Sequence, residues 1–361
     1  MVKVFSREVE RMKARGRLED RDQDPRNISW SSSLLGRLSR KQDISFDSGA
    51  IASATYRPFT KERLYFGDAL IHRPGSNRKF FPTPTTKNWG FYVTAPGAGH
   101  QFSLLAVGSI PDLALWGSGS GQFFPRYAFD ERDPAGDLLA ALDDDGTPYR
   151  RVDNVTDEIL ADYQKSFGAE VTKDDLFFYL YGILHSPDYR AQFESDLKKM
   201  LPRIPKVIDF QVFVDAGRAL SELHLNYETV EPYPLDEARS INVDYRVEKM
   251  KYAKRGRETD KSTVIYNSGI TVSGIPDEAR EYMLGSRSAI DWIIERYQVK
   301  TDKASGIVND PNDWADELGE PRYILDLLAR IVTVSVDTVK IVKSLPPLEY
   351  WTTIRLPSDE P

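Results

Sequence analysis

Hydrophobic positions recur at helical spacing in several parts of this chain. One amphipathic pattern covers residues 2–18, and a second, shorter one covers residues 30–40. Because apolar residues three or four positions apart share one helix face, both stretches are predicted to be amphipathic helices. Helical patterns also dominate residues 156–224, and two more helices are predicted over residues 288–297 and 323–345.

Residues 176–205 are predicted to form two helices that meet at a proline. Thr172 can cap the first helix, because Asp175 three residues later completes a capping box. Ser186 can cap the second helix, with Pro187 at its first position, where the missing N–H breaks no helix hydrogen bond. These features predict a packed helical pair and carry no chemistry of their own.

Between residues 44 and 129 the pattern changes to short β-prone runs separated by clusters of Gly, Pro, Ser and Asn. The runs cover residues 63–66, 91–94, 103–107 and 123–129. Two more strands, over 241–253 and 263–272, are joined by a basic tip in which Arg255-Gly256-Arg257 suits a hairpin turn. The pattern predicts an α+β fold. A mixed β-sheet with large polar loops in the N-terminal half would pack with a mainly helical second half.

Composition narrows the classes of function. The 361 residues contain no cysteine, which excludes disulfides, thiolate zinc sites and cysteine nucleophiles, and which fits a reducing cytoplasm. No apolar run approaches the roughly 20 residues of a membrane span, and the N-terminus lacks the apolar core of a secretory signal. We therefore expect a cytoplasmic globular protein with no membrane partner.

Charge is distributed unevenly along the chain. The net charge is −7, yet residues 1–80 hold 17 Lys and Arg against 10 Asp and Glu, while the remaining residues hold 31 against 45. A basic face on an acidic protein is what selective nucleic-acid contact requires. A solvated N-terminal helix on an ordinary acidic protein is the alternative, and charge alone favours that plainer interpretation.

Motifs for metal binding and hydrolysis are missing from the sequence. The four histidines have no metal-ligand spacing, and the acidic segment 130–175 lacks the alternating carboxylates of a calcium loop, so no metal site is predicted. Residues 117–121 (GSGSG) lack the Lys-Ser/Thr pair of a P-loop, which leaves either a flexible loop or a site of close phosphate approach. The facing carboxylates of a glycosidase stay open as well, because the 55 acidic residues supply many pairs.

The best sign of nucleic-acid contact is a run of basic, amide and aromatic residues between positions 55 and 89. Lys and Arg neutralise phosphates, while Arg and Asn have the bidentate geometry for guanine and adenine edges in the major groove. An ordinary loop-rich sheet face could have the same composition. From the residues alone, DNA contact and an ordinary sheet face are therefore about equally supported.

Three stretches, in this order, resemble the C-terminal specificity region of single-polypeptide Type I (Type ISP) restriction-modification enzymes. They are YRPFTKERLYF over residues 56–66, YGILHSPDYRAQFESDLKKMLPRIP over 181–205 and YNSGITVSGIPDEAREYMLGSRSAIDWIIERYQVKTDKASGIVNDPNDW over 266–314. The resemblance implies a DNA target-recognition domain. Such a domain presents an adenine for N6 methylation and directs helicase-coupled cleavage, both carried out by other domains of the polypeptide.

Catalytic motifs of such an enzyme are absent from this chain. It has no Asn/Asp-Pro-Pro-Tyr/Phe tetrapeptide, no Gly-rich S-adenosylmethionine loop and no helicase Walker pair. We therefore expect no catalytic residue and no cofactor in this chain. The parent enzyme is expected to use S-adenosylmethionine, ATP and Mg²⁺. The expected partners are double-stranded DNA and the methyltransferase and helicase domains of the same polypeptide. The main alternative is a docking domain that braces the methyltransferase against the helicase motor without contacting DNA; an independent hydrolase is a third possibility.

Base readout is expected from the polar loops within residues 72–89 and 117–126. The candidates are Arg73, Asn77, Arg78, Lys79, Lys87, Asn88, Gln122 and Arg126. Contacts with the DNA backbone or with the methyltransferase are expected from Tyr56, Arg57, Lys61 and Arg63. Residues 1–45 would form a helical connector to an upstream methyltransferase, residues 46–150 a β-rich recognition subdomain, and residues 151–361 a helical and mixed α/β scaffold.

Overall fold

The structure is a computed structural model of the chain, and it describes residues 1–15, 17–71, 75–119, 121–132 and 148–351. Its helices in these ranges are α1 (Val2–Arg15), α2 (Ser32–Ser39), α3 (Asn77–Phe80), α4 (Asp157–Phe167), α5 (Lys173–His185), α6 (Pro187–Gln192), α7 (Glu194–Leu197), α8 (Phe210–Leu225), α9 (Ala289–Arg296), α10 (Asn312–Leu318) and α11 (Tyr323–Lys343). None of these described helices is both long enough and apolar enough to cross a lipid bilayer.

The strands in the described ranges are short. They are β1 (Ile51–Arg57), β2 (Thr60–Tyr65), β3 (Gly90–Thr94), β4 (Leu104–Val107), β5 (Ile110–Pro111), β6 (Gly121–Pro125), β7 (Tyr127–Glu131), β8 (Tyr149–Asp153), β9 (Asp236–Arg239), β10 (Lys251–Arg255), β11 (Glu258–Ile265), β12 (Ile270–Ser273), β13 (Met283–Leu284), β14 (Arg287–Ser288), β15 (Lys300–Thr301) and β16 (Val308–Asn309).

The strands form several small sheets instead of one large sheet. In the N-terminal half, β1 pairs antiparallel with β2 and parallel with β5, while β3 pairs antiparallel with β4 and β6. The strands β7 and β8 form a separate hairpin, and the order β10-β11-β12-β9 makes an antiparallel sheet in the second half. The predicted α+β class is confirmed, and the β1 sheet has the mixed strand directions that were expected.

The N-terminal helices α1 and α2 pack on each other. Phe5 and Val9 of α1 are buried against Leu34 and Leu38 of α2. The side chain of Ser31 accepts a hydrogen bond from the Leu34 N–H and caps α2. The two helices thus close a small apolar cluster together. That this segment connects to an upstream domain stays a prediction.

The caps predicted around α5 and α6 are present. The Thr172 side chain accepts from the Asp175 N–H at 3.1 Å, and the Asp175 carboxylate accepts from the Thr172 N–H at 3.0 Å. Ser186 accepts from the Tyr189 N–H, with Pro187 at the first position of α6. Local side-chain chemistry therefore sets these helix boundaries, as the capping rules require.

Two glycines let α5 and α8 approach each other closely. A Cβ added at Gly182 would lie 2.1 Å from the Phe213 carbonyl oxygen, and one at Gly217 would lie 1.9 Å from the Phe178 carbonyl oxygen. Real side chains cannot occupy such positions. The contact of α5 with α8 therefore depends on glycine in both helices.

Two large apolar cores hold the molecule together, and each draws residues from both sides of position 150. In the first core, Tyr92 and Trp116 are buried together with Trp292 and residues of α11. In the second core, Phe91 and Val93 of β3 lie against residues of α5 and α8. The β-rich and helical halves therefore share their cores, which fixes the β3 sheet relative to the helices.

A buried polar network links four elements across this shared core. The Ala106 N–H of β4 donates to the Tyr181 hydroxyl at 2.8 Å, and a hydrogen bond of 2.7 Å joins that hydroxyl to His224 Nδ1. A further hydrogen bond of 2.8 Å joins His224 Nε2 to the Thr338 hydroxyl of α11. Burial lowers the pKa of His224 to about 3, so the imidazole is neutral and can accept at one nitrogen while it donates at the other.

Candidate nucleic-acid interface

A concave surface on the β-rich half carries a cluster of basic side chains. Its volume is about 590 Å³, and we call it the basic concavity. It is lined by Pro82, Thr83, Thr85, Thr86, Lys87, Phe129, Arg132, Tyr149, Arg150 and Arg151. Residues of the 82–87 loop and of the β7–β8 hairpin, among them three arginines and one lysine, therefore line a common space.

The loop side of the basic concavity is held by a threonine turn. The Thr83 N–H donates to the Thr86 hydroxyl at 3.1 Å, and the Thr86 N–H donates to the Thr83 carbonyl oxygen at 3.1 Å. Lys87 follows this turn with an exposed side chain, and within the described residues no carboxylate lies at ion-pair distance from it. The loop thus presents hydroxyls and an available cation from a fixed backbone.

The strand side of the basic concavity is the β7–β8 hairpin. Arg150 lies opposite Asp130 in the ladder, with 3.7 Å between their charged groups, and both side chains are more than half exposed. Arg151 lies opposite Phe129, and its guanidinium is 4.3 Å from the centre of the Tyr127 ring. Exposed ion pairs contribute little stability, so Arg150 can exchange Asp130 for another anion at small cost.

Arg126 anchors the base of this hairpin and is almost fully buried, at 3% exposure. Its Nε donates to Asp174 at 2.7 Å, and one of its terminal nitrogens donates to Asp153 at 2.5 Å. Burial alone would raise the pKa of Asp153, but the hydrogen bond from Arg126 and the Val155 N–H lower it below its usual range. The guanidinium therefore links β7 and β8 to the start of α5.

Asn88 joins the loop side to the strand side. Its amide nitrogen donates to the Phe80 carbonyl oxygen at 3.0 Å and to the Tyr127 carbonyl oxygen at 2.7 Å, while its carbonyl oxygen accepts from the Trp89 N–H. The residue is 7% exposed. Every polar atom of this side chain is thus engaged with the backbone, which positions the 82–87 loop against β7.

The expected base-reading role of Asn88 and Arg126 does not fit this arrangement. Both side chains are buried, and their hydrogen bonds run to partners within the chain: Asn88 bonds to the backbone, and Arg126 bonds to Asp153 and Asp174. The sequence could not reveal this, because Arg and Asn in a polar loop suit base contact and loop bracing equally well. We replace their predicted role with that of positioning residues.

The remaining base-reading candidates are placed differently. Lys87 lines the basic concavity, Lys79 is exposed on α3, which packs against β7, and Gln122 is exposed on β6. Arg78 donates to the Phe66 carbonyl oxygen and to Asp68, and Asn77 lines a separate groove beside Tyr65 and Phe66. Arg73 lies outside the described residues.

The β1–β2 residues predicted to contact the DNA backbone or a methyltransferase are tied to this chain. Arg57 is 11% exposed and pairs with Asp112, while Lys61 pairs with Glu228. Burial and this ion pair keep most of the Arg57 guanidinium away from the surface.

Arg63 and Tyr56 of the same hairpin keep part of their surface. Arg63 is about half exposed; it pairs with Glu317 and stacks on Trp314 at 4.7 Å. Tyr56 is half-buried, with the Arg57 guanidinium 3.9 Å from its ring centre. Their predicted contact with a neighbouring domain or with DNA stays a prediction.

Phe59 at the tip of the β1–β2 hairpin explains why YRPF is a recognisable motif. Its φ is +56° in a two-residue turn after Pro58, at the position where glycine or asparagine is usual. The side chain is 1% exposed and packs against the rings of His224 and Tyr227. The motif is therefore a buried anchor for the hairpin.

Arg150 and Arg151 were missed by the sequence reasoning. They lie in the acidic segment 130–175, whose overall negative charge gave no sign of a basic surface. The signal that could have identified them is a pair of β-prone runs, YAFDE over residues 127–131 and YRRVD over residues 149–153. The structure pairs these runs as β7 and β8. Residues 133–147, which include DDDG, lie outside the described residues.

No group of metal-ligating side chains occurs within the described part of the chain. The glycine-rich loop has a packing role at both ends. Gly117 has a φ of +80° beside Trp292, and a Cβ at Gly121 would lie 2.0 Å from the Tyr92 ring. These contacts explain Gly117 and Gly121 without a phosphate.

Comparison with known proteins identifies the family. The family model of the Type ISP C-terminal specificity domain matches residues 1–327. No curated protein matches the chain.

Three solved structures resemble the chain along almost its whole length. A nuclease-deletion mutant of the Type ISP restriction-modification enzyme LlaGI in complex with a DNA substrate mimic is 35% identical and covers 97% of this chain, with a TM-score of 0.81. The ATP-dependent Type ISP restriction-modification enzyme LlaBIII bound to DNA is 34% identical over 97% of the chain, with a TM-score of 0.84. The DrdV–DNA complex is 27% identical over 95%, with a TM-score of 0.80.

The chain spans 26%, 22% and 33% of the length of these three proteins, respectively. The three sequence stretches that suggested a specificity region are thus part of a match that extends over most of the fold. The chain belongs to the Type ISP C-terminal specificity domain family.

Proposed function

We propose that this chain recognises the DNA target of a Type ISP restriction-modification enzyme, and that the basic concavity contacts the duplex. In this proposal other domains of the same polypeptide methylate adenine at N6 and carry out helicase-coupled cleavage. They use S-adenosylmethionine, ATP and Mg²⁺ in the cytoplasm, while the specificity domain supplies no catalytic residue or cofactor site.

The observation that carries the proposal is the grouping of Lys87, Arg150 and Arg151 around one space. These side chains are exposed in a protein whose net charge is −7, so their clustering opposes the overall charge. Local positive potential with flexible long side chains is what phosphate contact requires. The three similar solved structures are complexes with DNA or a DNA mimic, which supports the same ligand here.

Positioning and reading are assigned to different side chains. Lys87 is a point charge next to threonine hydroxyls, which suits a phosphate oxygen. Arg150 and Arg151 have the forked geometry for a guanine edge, and the exposed Lys79 and Gln122 stay candidates for base contacts. Asn88 and Arg126 would act through the loop and the hairpin that they hold.

The experiment uses the full-length protein with Lys87→Gln, Arg150→Gln or Arg151→Gln. Affinity for a random-sequence duplex is measured across salt concentrations, and N6-methyladenine is mapped in plasmid DNA from cells that express each variant. Loss of one phosphate contact should lower the slope of log K against log salt by about 1. Loss of a base contact should change the methylated sequence instead.

Lys165→Gln is the matched control, because Lys165 is exposed on α4 and has no ion pair among the described residues. It removes the same charge away from the basic concavity. If all three variants keep the affinity, the salt slope and the methylation pattern of Lys165→Gln, the proposal fails. A docking domain that leaves DNA to its neighbours would then be the better interpretation.

A further inference from the structure

A second basic surface lies in the other half of the chain, on the β10–β11 hairpin. Residues 249–261 hold six Lys and Arg against two acidic residues. We call the hairpin of β10 and β11, together with Lys249, the basic ribbon. Lys249, Lys251, Lys254 and Arg257 are all exposed, and within the described residues none has a carboxylate at ion-pair distance.

Several cations of the N-terminal region, in contrast, form ion pairs. Arg7, Arg26 and Arg78 pair with acidic residues, and so do Arg57 and Lys61 of the β1–β2 hairpin. Three cations of the basic excess of residues 1–80, namely Arg57, Lys61 and Arg63, are therefore paired with carboxylates from later in the chain. The basic ribbon keeps its cations available, although it belongs to the part of the chain with the acidic balance.

The tip of the basic ribbon is a separately braced unit. The ladder register shifts between Tyr252 and Ala253, which leaves extra residues on β11 next to Asp260. The Asp260 carboxylate accepts from the Ser262 N–H, the Ser262 hydroxyl and Arg255 Nε, and the bonds from Ser262 lower its pKa to about 2. With Gly256 in the turn at a φ of +64°, the tip has a fixed shape despite its exposure.

More cations converge at the base of the basic ribbon. A β-bridge joins Lys249 to Gln298, two residues before Lys300, whose ammonium donates to the Glu295 carbonyl oxygen at 3.0 Å. Glu295 is the carboxylate paired with both Arg287 and Arg296. Burial, followed by repulsion from Arg296, lowers the pKa of Lys300, as expected where positive charges outnumber their partners.

We infer that the basic ribbon and Lys300 form a second DNA-contact surface, which holds phosphates of the duplex without reading its bases. The inference rests on the proposed function, since it needs a protein that binds DNA. The ribbon carries lysines and threonines but no Asn or Gln, and its Arg255 is held by Asp260. Its free groups are thus mainly point charges that bind phosphate oxygens of any sequence.

The test is the triple variant Lys251→Gln, Lys254→Gln and Arg257→Gln in the full-length protein. Because three exposed phosphate contacts are removed, the slope of log K against log salt should fall by about 2 to 3 on a random-sequence duplex. The sequence that carries N6-methyladenine in plasmid DNA should stay unchanged. Circular dichroism and thermal unfolding should match the unmodified protein, because all three side chains are exposed.

The matched control removes three charges elsewhere, by Lys41→Gln, Lys165→Gln and Lys199→Gln. These lysines are exposed and have no ion pair in the described ranges. A slope unchanged by the ribbon variant, or lowered equally by the control, overturns the inference while the proposed function stands. A changed methylation sequence overturns it as well, because the ribbon would then read bases. An unmodified protein that neither binds duplex DNA nor methylates any site refutes the proposed function itself.

Discussion

Replacing Arg126 by Gln distinguishes a side chain that reads DNA from one that builds the reading surface. A base-reading arginine can be lost without effect on folding, but the buried Arg126 holds Asp153 and Asp174 by two charge-assisted hydrogen bonds. Each such bond contributes about 1.5 to 3 kcal/mol. The carboxylates are 29% and 55% exposed, so water replaces part of the loss. We expect the free energy of unfolding to fall by about 2 to 3 kcal/mol.

The pH dependence of this loss has a defined sign. Because the folded-state pKa of Asp153 is lowered, its contribution is fully present above the ordinary carboxyl pKa of about 3.9 and is lost as the pH falls through the lowered value. The difference between the unmodified protein and Arg126→Gln should therefore be full at neutral pH and should shrink below about pH 4.

Urea unfolding followed by tryptophan fluorescence measures this difference, with Lys87→Gln as the control in the same surface. Lys87 is exposed and has no ion pair within the described residues, so its replacement should leave the free energy of unfolding unchanged. Equal unfolding free energies for Arg126→Gln and the unmodified protein, together with an altered methylation sequence, would show that Arg126 reads bases after all.

Two further predictions concern the buried network around His224. Tyr181→Phe removes the partner of two buried groups and should cost about 2 to 5 kcal/mol in urea unfolding; Tyr179→Phe on the same helix loses one bond to the Pro205 carbonyl and should cost less than about 1.5 kcal/mol. Equal losses would contradict the network. Because burial lowers the pKa of His224 to about 3, stability is fully present above the ordinary value of 6.5 and is lost as the pH falls. Protonation of this residue in the unfolded chain should lower the free energy of unfolding by about 2 kcal/mol between pH 7 and pH 5. If His224→Gln loses as much stability over this pH range as the unmodified protein does, His224 is not the cause.

Local signals in the sequence predicted local structure well. The caps at Thr172 and Ser186 and the hairpin turn at Gly256 are present, because each depends on residues within a few positions of each other. The α+β class followed from the same periodicities. The three matched stretches indicated the family, and the structure places residues such as Phe59 of the first stretch in the core.

Non-local partners could not be predicted from one sequence. Nothing near Arg126 in the chain shows that Asp174, 48 positions later, would meet its guanidinium in a buried site. The basic excess of residues 1–80 was misleading for the same reason, because Lys61 and Arg63 pair with Glu228 and Glu317, which lie far along the chain. The reverse error hid Arg150 and Arg151 within an acidic segment. Charge counted along the sequence is therefore a poor guide to charge available at a surface.

The sharing of both large cores across position 150 has a consequence for retargeting these enzymes. Exchange of residues 46–150 with a relative would transplant only the smaller part of each core and leave Phe91, Tyr92 and Trp116 facing foreign helices. A second chimaera would exchange only the 82–87 loop and the outer part of the β7–β8 hairpin. It would keep Asn88 and Arg126, whose hydrogen bonds hold these two segments in place. If the basic concavity reads the target as proposed, the smallest unit to exchange is this pair of surface segments, because it leaves both cores intact.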